Sequence, residues 1–257
     1  MAIEFGPAGI GSVKGAIDNL KKYNKLGLRA CEIAFTYGVY IKYENDIKEI
    51  KKASEKFKIK LSIHSPYWIN LNSKDKKKIE QSKQRILKCC EIGEKLGAYL
   101  VVFHPGYYSG MDKEKTYENI KNAILDIQKE IRKNNWKIKI APETSGKINV
   151  FGSINEIAML VKDTKCSFCI DFAHILARYK SIDYKLIKEE FAGYNNWHIH
   201  FSGIAYGEKG EKNHIKTKPN ELKELLKNLP KNKDIIIINE SPDPIRDSIL
   251  GLKINNQ

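Results

Sequence analysis

Long hydrophobic runs are missing from this sequence, and cysteine is scarce. No stretch of 18 consecutive apolar residues occurs, which excludes a transmembrane helix by length. The first residues lack the basic and apolar segments of a secretory signal, so we expect a soluble, cytoplasmic protein with no membrane partner. The five cysteines are an odd number without regular spacing, which excludes a disulfide framework. No linker or low-complexity tract divides the chain, and we therefore expect one domain over residues 1–257.

Acidic residues are also in deficit. The chain has 45 lysines and arginines against 31 aspartates and glutamates, a formal net charge of +14. Such a surplus attracts phosphate-rich polymers at long range and speeds their encounter. A proteome in which every surface is lysine-rich would give the same balance. Charge alone therefore favours nucleic acid as a partner without deciding it.

Short β-type runs recur about 30–40 residues apart, and charged segments with helical periodicity separate them. A βαβ unit needs about 30 residues, and eight units are the number in a (β/α)8 TIM barrel, which is the predicted fold. The clearest helices are predicted over Lys74–Leu96 and Tyr117–Arg132. The predicted strands are Ile3–Phe5, Cys31–Phe35, Lys60–His64, Tyr99–His104, Lys137–Glu143, Ser167–Asp171, Trp197–Phe201 and Asp234–Glu240.

Six consecutive strands carry a histidine or a carboxylate at or near their ends, which lie at the C-terminal rim where TIM barrels place their active sites. One such residue alone is usually a core group or a helix N-cap. Six together would bury several carboxylates at a high desolvation cost, which divalent cations remove. Imidazole and carboxylate ligands without thiolate suit Zn²⁺, with Mn²⁺ or Fe²⁺ as alternatives. The six residues are His64, His104, Glu143, Asp171, His200 and Glu240.

Several motifs at these strand ends resemble the endonuclease IV family of abasic-site endonucleases, which are trinuclear zinc TIM barrels. The similarity covers most of the chain, from about His64 to Glu240. The motifs are H-x-x-Y-x-x-N-L from His64 to Leu71, V-x-H-P-G from Val102 to Gly106, the segment around Glu143, D-x-x-H at Asp171 and His174, and E-S-P from Glu240.

The resemblance implies a specific set of ligands for two zinc ions. His64 and His104 would bind one ion, and Glu143 would bridge it to the second. The other ligands of the second ion would be Asp171, His200 and Glu240. His198 lies two residues before His200, so we expect it one layer deeper in the barrel, as a supporting or core group.

A third zinc site is where the sequence departs from the family pattern. His174 and His214 match two of its ligands, but Lys212 stands where the family has an aspartate two residues before the last histidine. Glu211 is the neighbouring carboxylate that could replace it. We therefore expect two or three ions, with the two sites that share Glu143 filled more tightly.

The activity implied by the resemblance is hydrolysis of the phosphodiester 5′ to an abasic site in double-stranded DNA, as in base excision repair. Glu143 is the predicted catalytic residue, because a bridging carboxylate would fix the metal spacing and orient the attacking water. Tyr67 and Trp68 occupy the loop where the family inserts side chains into the helix at the lesion. A lesion that is already unstacked makes such insertion cheap. The simpler alternative is that both rings only cover the barrel rim.

Two other function classes stay open. A metal-dependent sugar isomerase or epimerase of the xylose isomerase-like type would need only Glu143, Asp171, His200 and Glu240. The additional imidazoles and the positive charge favour the endonuclease. A non-catalytic nucleic-acid-binding barrel is the third class, because of the missing aspartate. We expect a monomer.

Overall fold

A computed structural model describes residues 3–257, and within it eight parallel strands form a closed barrel. Residues 1 and 2 of the predicted domain lie outside the described residues. The eight barrel strands are β1 Ile3–Pro7, β2 Ala30–Ala34, β3 Lys60–His64, β4 Leu100–Phe103, β5 Lys139–Pro142, β6 Cys169–Asp171, β7 Asn196–Phe201 and β10 Asp234–Asn239. Two further strands, β8 Gly203–Gly207 and β9 Gly210–Ile215, form a separate hairpin.

The barrel closes at two seams. One half runs in the order β1-β10-β7-β6 and the other in the order β2-β3-β4-β5. At the first seam, the amide of Gly9 donates to the carbonyl of Glu32 at 2.7 Å. At the second seam, the amide of Thr144 donates to the carbonyl of Cys169 at 3.1 Å. The predicted (β/α)8 TIM barrel is confirmed. Because its eight strands are parallel, their C-terminal ends all lie at the same rim.

Nine α-helices follow the strands in the described part of the chain and surround the barrel. They begin after side-chain caps where the sequence supplies one: the Asp75 carboxylate accepts from the Lys77 amide, and Ser153 forms a capping box with Glu156. None of the helices within residues 3–257 is long and apolar enough to cross a membrane. The helices are α1 Ala16–Lys25, α2 Glu44–Lys56, α3 Lys76–Leu96, α4 Lys113–Lys133, α5 Ile154–Thr164, α6 Phe172–Tyr179, α7 Tyr184–Glu190, α8 Pro219–Asn228 and α9 Pro244–Asn255.

Most observed boundaries lie within two residues of the predicted ones. The strand predicted over Lys60–His64 has those bounds, and the helix predicted over Lys74–Leu96 begins at Lys76, directly after the Asp75 cap. The helix predicted over Tyr117–Arg132 is longer at its start, because the Asp112 carboxylate caps it at the Lys115 amide. All five cysteines are free and buried.

A pair of strands at the rim was not predicted. Between the seventh and eighth barrel strands, β8 and β9 form an antiparallel hairpin that packs against α6 at the rim. Its register shifts at one point, where Ala205 pairs with Asn213 but Tyr206 pairs with Glu211. Lys212 is therefore the extra residue of a β-bulge.

Candidate metal centre

All six histidines of the chain lie in one connected cluster at the C-terminal rim and just below it. The imidazole rings are neighbours in a continuous series, with ring centroids 5.2–6.0 Å apart at each step. Sequence analysis placed five of them at the rim and one deeper, and the structure has the same arrangement. In order around the series they are His198, His200, His64, His104, His174 and His214.

Glu143 is at the centre of this cluster. It follows β5 directly and is fully buried. One carboxylate oxygen, Oε2, lies 3.2 Å from Nε2 of His64 and 3.3 Å from Nε2 of His104. The other, Oε1, lies 3.0 Å from Nδ1 of His200 and 3.5 Å from Nδ1 of His174. Each oxygen thus faces a different pair of imidazoles, which is the arrangement that a bridging carboxylate requires.

A second group of ligand-type atoms shares Glu143. Its members are within 4.8 Å of one another and come from the ends of four barrel strands: Glu143, Asp171, His200 and Glu240. Asp171 is the last residue of β6, and its Oδ1 also accepts from the amide of His174, so it begins α6 as a cap. Its other oxygen, Oδ2, is buried without a hydrogen bond among the described residues. A buried carboxylate oxygen without a hydrogen bond can bind a cation.

The third group contains Asp171, His174 and His214, again within 4.8 Å. The bulge in β9 adds Glu211 to it. Glu211 pairs with Tyr206, and His214 pairs with Ile204. Tyr206 and Ile204 are two residues apart on β8 and point to the same side, so Glu211 and His214 lie on one face of the hairpin. Oε2 of Glu211 lies 3.5 Å from Nε2 of His174, whereas Lys212 is exposed.

A glycine permits this approach of the hairpin. The Glu211 amide donates to the carbonyl of Gly146 at 3.1 Å. A Cβ atom at Gly146 would lie 2.7 Å from the Cβ of Glu211, which is a severe clash. The loop after β5 can therefore accept Glu211 at the centre only because residue 146 has no side chain.

In His64 and His174, a hydrogen bond from one ring nitrogen to a backbone carbonyl fixes which nitrogen faces the carboxylates. Nδ1 of His64 donates to the carbonyl of Ser65 at 2.8 Å, which leaves Nε2 directed at Glu143. Nδ1 of His174 donates to the carbonyl of Thr144 at 3.0 Å, which leaves Nε2 directed at Glu211. A carbonyl can only accept, so these inner nitrogens carry a lone pair when the ring is neutral. Such orientation is typical of metal-ligating histidines.

The electrostatics of the centre show how strongly it demands positive charge. Burial opposes ionisation of Glu143, but the imidazoles of His104 and His200 hold its pKa well below the usual range. Burial alone would lower the pKa of His64 and His174, yet the adjacent carboxylates raise each pKa to about 9. Burial lowers the pKa of His104 to about 4. Without metal, protons on imidazoles therefore supply the charge that cations would otherwise supply.

The residues at this rim fit a cluster of divalent metal ions. The donor atoms are imidazole nitrogens and carboxylate oxygens, which suit zinc and similar ions. The Oδ2 atom of Asp171, which is buried without a hydrogen bond, and the oriented imidazoles agree with that assignment. The sequence prediction of a metal-binding rim is supported at this level, and the identity of the metal stays a prediction.

A cleft of about 560 Å³ lies over the cluster and is lined in part by His104, His174 and Glu240. Tyr67 also lines it and is 61% exposed, while Trp68 is 51% exposed and turned toward Tyr37. Neither ring is covered by the protein. The lysines that begin α3 are exposed beside this loop.

Two residues of this region were missed by sequence analysis. Glu32 lies in the middle of β2, fully buried inside the barrel and in contact with His198 and His200. The sequence signal for Glu32 was that a glutamate stands in an otherwise apolar strand. Tyr37, in the loop after β2, is 82% exposed and its ring centroid lies 5.9 Å from that of Trp68. Only the fold brings these two loops together.

A family model described as xylose isomerase-like TIM barrel matches residues 20–250. The chain belongs to this family. An uncharacterized protein of Methanocaldococcus jannaschii is 36% identical over 98% of this chain and 97% of its own length. The probable endonuclease 4 of Thermoplasma volcanium is 29% identical, over 53% of this chain and 48% of that protein. The chain therefore matches about half the length of this endonuclease relative.

Solved structures of the xylose isomerase-like fold with different activities resemble the chain to a similar degree. Endonuclease IV from Thermus thermophilus superposes with a TM-score of 0.75, at 18% identity, over 98% of this chain and 97% of that one. D-psicose 3-epimerase from Clostridium cellulolyticum gives 0.71 at 15% identity, over 98% of each chain. These similarities establish the fold. They do not identify the reaction, which has to be inferred from the residues of the rim.

Proposed function

We propose that this protein is an endonuclease that hydrolyses the phosphodiester 5′ to an abasic site in double-stranded DNA, with two or three zinc ions at its rim. The observation that carries the proposal is the connected cluster of six histidines around Glu143. A sugar isomerase of the same fold would use a single imidazole, that of His200, with three carboxylates. It would leave His64, His104 and His174 without a role.

The contacts suggest how the ions would be shared. His64 and His104 would hold one ion through the nitrogens that face Oε2 of Glu143. The group around Oε1 of Glu143 would hold the second, and its further members are Asp171, His200 and Glu240. A third ion would take His174 and His214, with Glu211 as the carboxylate in place of the family's aspartate.

The residues of the chain divide the chemical work. When bound, the ions supply Lewis acidity to the phosphate and lower the pKa of water, so that hydroxide forms near neutral pH. Glu143 keeps the two ligand groups at a fixed separation and accepts a hydrogen bond from the attacking water. Asp171 adds negative charge next to it, which favours cation binding. No side chain acts as a covalent nucleophile, and the product carries a 3′-hydroxyl.

The exposed aromatic residues give the rim a means of recognising the lesion. Tyr67 stands at the edge of the cleft that contains His64, so a ring inserted at an abasic site would place the adjacent phosphate near the metal ligands. Trp68 would support the opened stack, with Tyr37 against its ring. Lys74 and Lys76, exposed nearby, would contact phosphates of the flanking duplex.

The decisive experiment uses a labelled duplex that contains one tetrahydrofuran abasic analogue. We expect cleavage 5′ to the analogue by the zinc-loaded protein, no cleavage after chelation, and recovery when zinc is restored. The same duplex without the analogue is the control and should stay intact. Absence of cleavage by protein that has been shown to contain zinc would contradict the proposal.

A second candidate, sugar isomerisation or epimerisation, is favoured by the group of Glu143, Asp171, His200 and Glu240 alone. The cleft of about 560 Å³ would also accept a monosaccharide. Incubation of the metal-loaded protein with ketohexoses, followed by chromatography, tests it. Turnover of a sugar by protein that does not cleave the abasic duplex would replace the first proposal with the second.

A further inference from the structure

A buried carboxylate lies one layer below the proposed metal ligands. Glu32 extends from β2 into the barrel interior and is completely inaccessible to solvent. Its Oε1 lies 3.0 Å from Nε2 of His200, and its Oε2 lies 3.1 Å from Nε2 of His198. An anion in such a place is costly unless it is paired or hydrogen-bonded, because both of its oxygens have left water.

His200 is held between carboxylates on both sides. Its Nε2 faces Glu32 below, while its Nδ1 lies 3.0 Å from Oε1 of Glu143 and 3.5 Å from Oε1 of Glu240 above. A neutral imidazole has one N–H group and one lone pair. With a cation bound between Glu143 and Glu240, Nδ1 would have to present its lone pair to it. The ring N–H would then lie on Nε2, 3.0 Å from Oε1 of Glu32, and a carboxylate can only accept it.

Two other histidines of the centre are held through Nδ1 by backbone carbonyls, Ser65 for His64 and Thr144 for His174, and direct Nε2 at the carboxylates. His200 lies within β7 and its Nε2 points into the barrel, where a carboxylate takes the place of the carbonyl. An anion holds the imidazole N–H more strongly than a carbonyl does and makes the opposite nitrogen a better donor to a cation.

Glu32 is itself fixed by donors from two other strands. The Ser62 hydroxyl donates to Oε2 at 2.8 Å. The Tyr99 hydroxyl lies 2.6 Å from Nδ1 of His198 and donates to it, so that Nε2 of His198 can donate to Glu32. These contacts prevent the carboxylate from turning away from His200.

We propose that Glu32 is a positioning residue, which fixes the ring orientation and tautomer of His200 so that Nδ1 is presented to a metal ion. The inference rests on the proposed metal centre. It adds to that centre a residue that contacts neither the metal nor the substrate. Loss of such a partner typically weakens metal affinity by about 10–100-fold.

The test is the change Glu32→Gln, which keeps the shape of the side chain and removes its charge. Competition with a chelator should show one zinc ion bound about 10–100-fold more weakly than in the wild type, with the other ions retained. The matched control is Glu94→Gln, the same change at a carboxylate that accepts from the amides of Lys137 and Ile138 before β5. It should leave zinc affinity unchanged.

Nitrogen NMR of the zinc-loaded wild type supplies a measurement that needs no variant. His200 should have its Nδ1 bound to metal and its Nε2 protonated. Metal on Nε2, or equal zinc affinity in wild type and Glu32→Gln, would overturn the role of Glu32 while leaving the metal centre in place. A wild-type protein that binds no zinc would overturn both this inference and the proposed function.

Discussion

The change Glu143→Gln tests the centre at the residue with the most contacts. Each oxygen of Glu143 faces two imidazoles at 3.0–3.5 Å, and an amide could present an acceptor to only one of those pairs. Breaking a buried, hydrogen-bonded charge pair costs about 3–5 kcal/mol. If that loss falls on the transition state, cleavage of the abasic duplex slows by about 10²–10⁴-fold. Single-turnover cleavage with saturating protein measures it.

Binding distinguishes a chemical defect from a general one. Fluorescence anisotropy should show that Glu143→Gln binds the abasic duplex with nearly wild-type affinity, because the exposed aromatic rings and lysines are untouched. The control Glu94→Gln should keep both binding and cleavage. Cleavage by Glu143→Gln within tenfold of the wild-type rate, at equal zinc content, would refute the bridging role.

Three further predictions follow from the rim. Tyr67→Ala should weaken binding to abasic duplex much more than binding to intact duplex, and an equal loss in a competition assay would mean that Tyr67 only covers the rim. Metal analysis after limited dialysis should show one ion fewer in Glu211→Gln and no change in Lys212→Ala, since only the first residue faces His174; the reverse result would contradict the bulge argument. Metal-free protein should lose stability as pH rises from about 6.5 to about 9, because His64 and His174 have a folded pKa of about 9, above the unfolded value. Denaturant titrations across this range would measure it, and zinc-loaded protein should not show the loss.

Most of the barrel was predictable because its signals are local. Strands such as Leu100–Phe103 are buried on both faces and therefore read as continuous apolar runs. The helix ends carry recognisable caps, as at Asp75 and Asp112. The starts of the two predicted helices moved because a cap, rather than the hydrophobic pattern, decides the first helical residue.

The hairpin after β7 was not predictable in this way. Gly210 begins its second strand, and the residues that follow, Glu211 to His214, are polar, so neither an apolar run nor an alternating pattern identifies a strand there. What holds the hairpin is its packing on α6 and a backbone contact with Gly146, both of which join distant parts of the sequence.

Within the candidate centre, rim residues were identified because parallel strands end on the same side, which sequence order alone fixes. The eight residues predicted to bind metal all lie in one cluster, and their roles as ligands remain predictions. Glu32 could not be found by the same rule. It lies in the middle of a strand, and the partner that gives it meaning, His200, is 168 residues away in the sequence and adjacent only across the barrel.

The same distinction between sequence spacing and position in the fold applies to the predicted third metal site. Counting two residues back from His214 arrives at Lys212, and a cation at a metal ligand position would argue against an ion there. In the hairpin, however, Lys212 is the unpaired residue of the bulge, so the count includes one residue that has no partner on β8. With that residue left out, the position two pairs from His214 on the same face is Glu211. Its carboxylate does lie beside His174, and Gly146 provides the space for it. We therefore expect Glu211, one place earlier in the sequence than the family's aspartate, to be the carboxylate of the third site, because the bulge leaves it facing the centre.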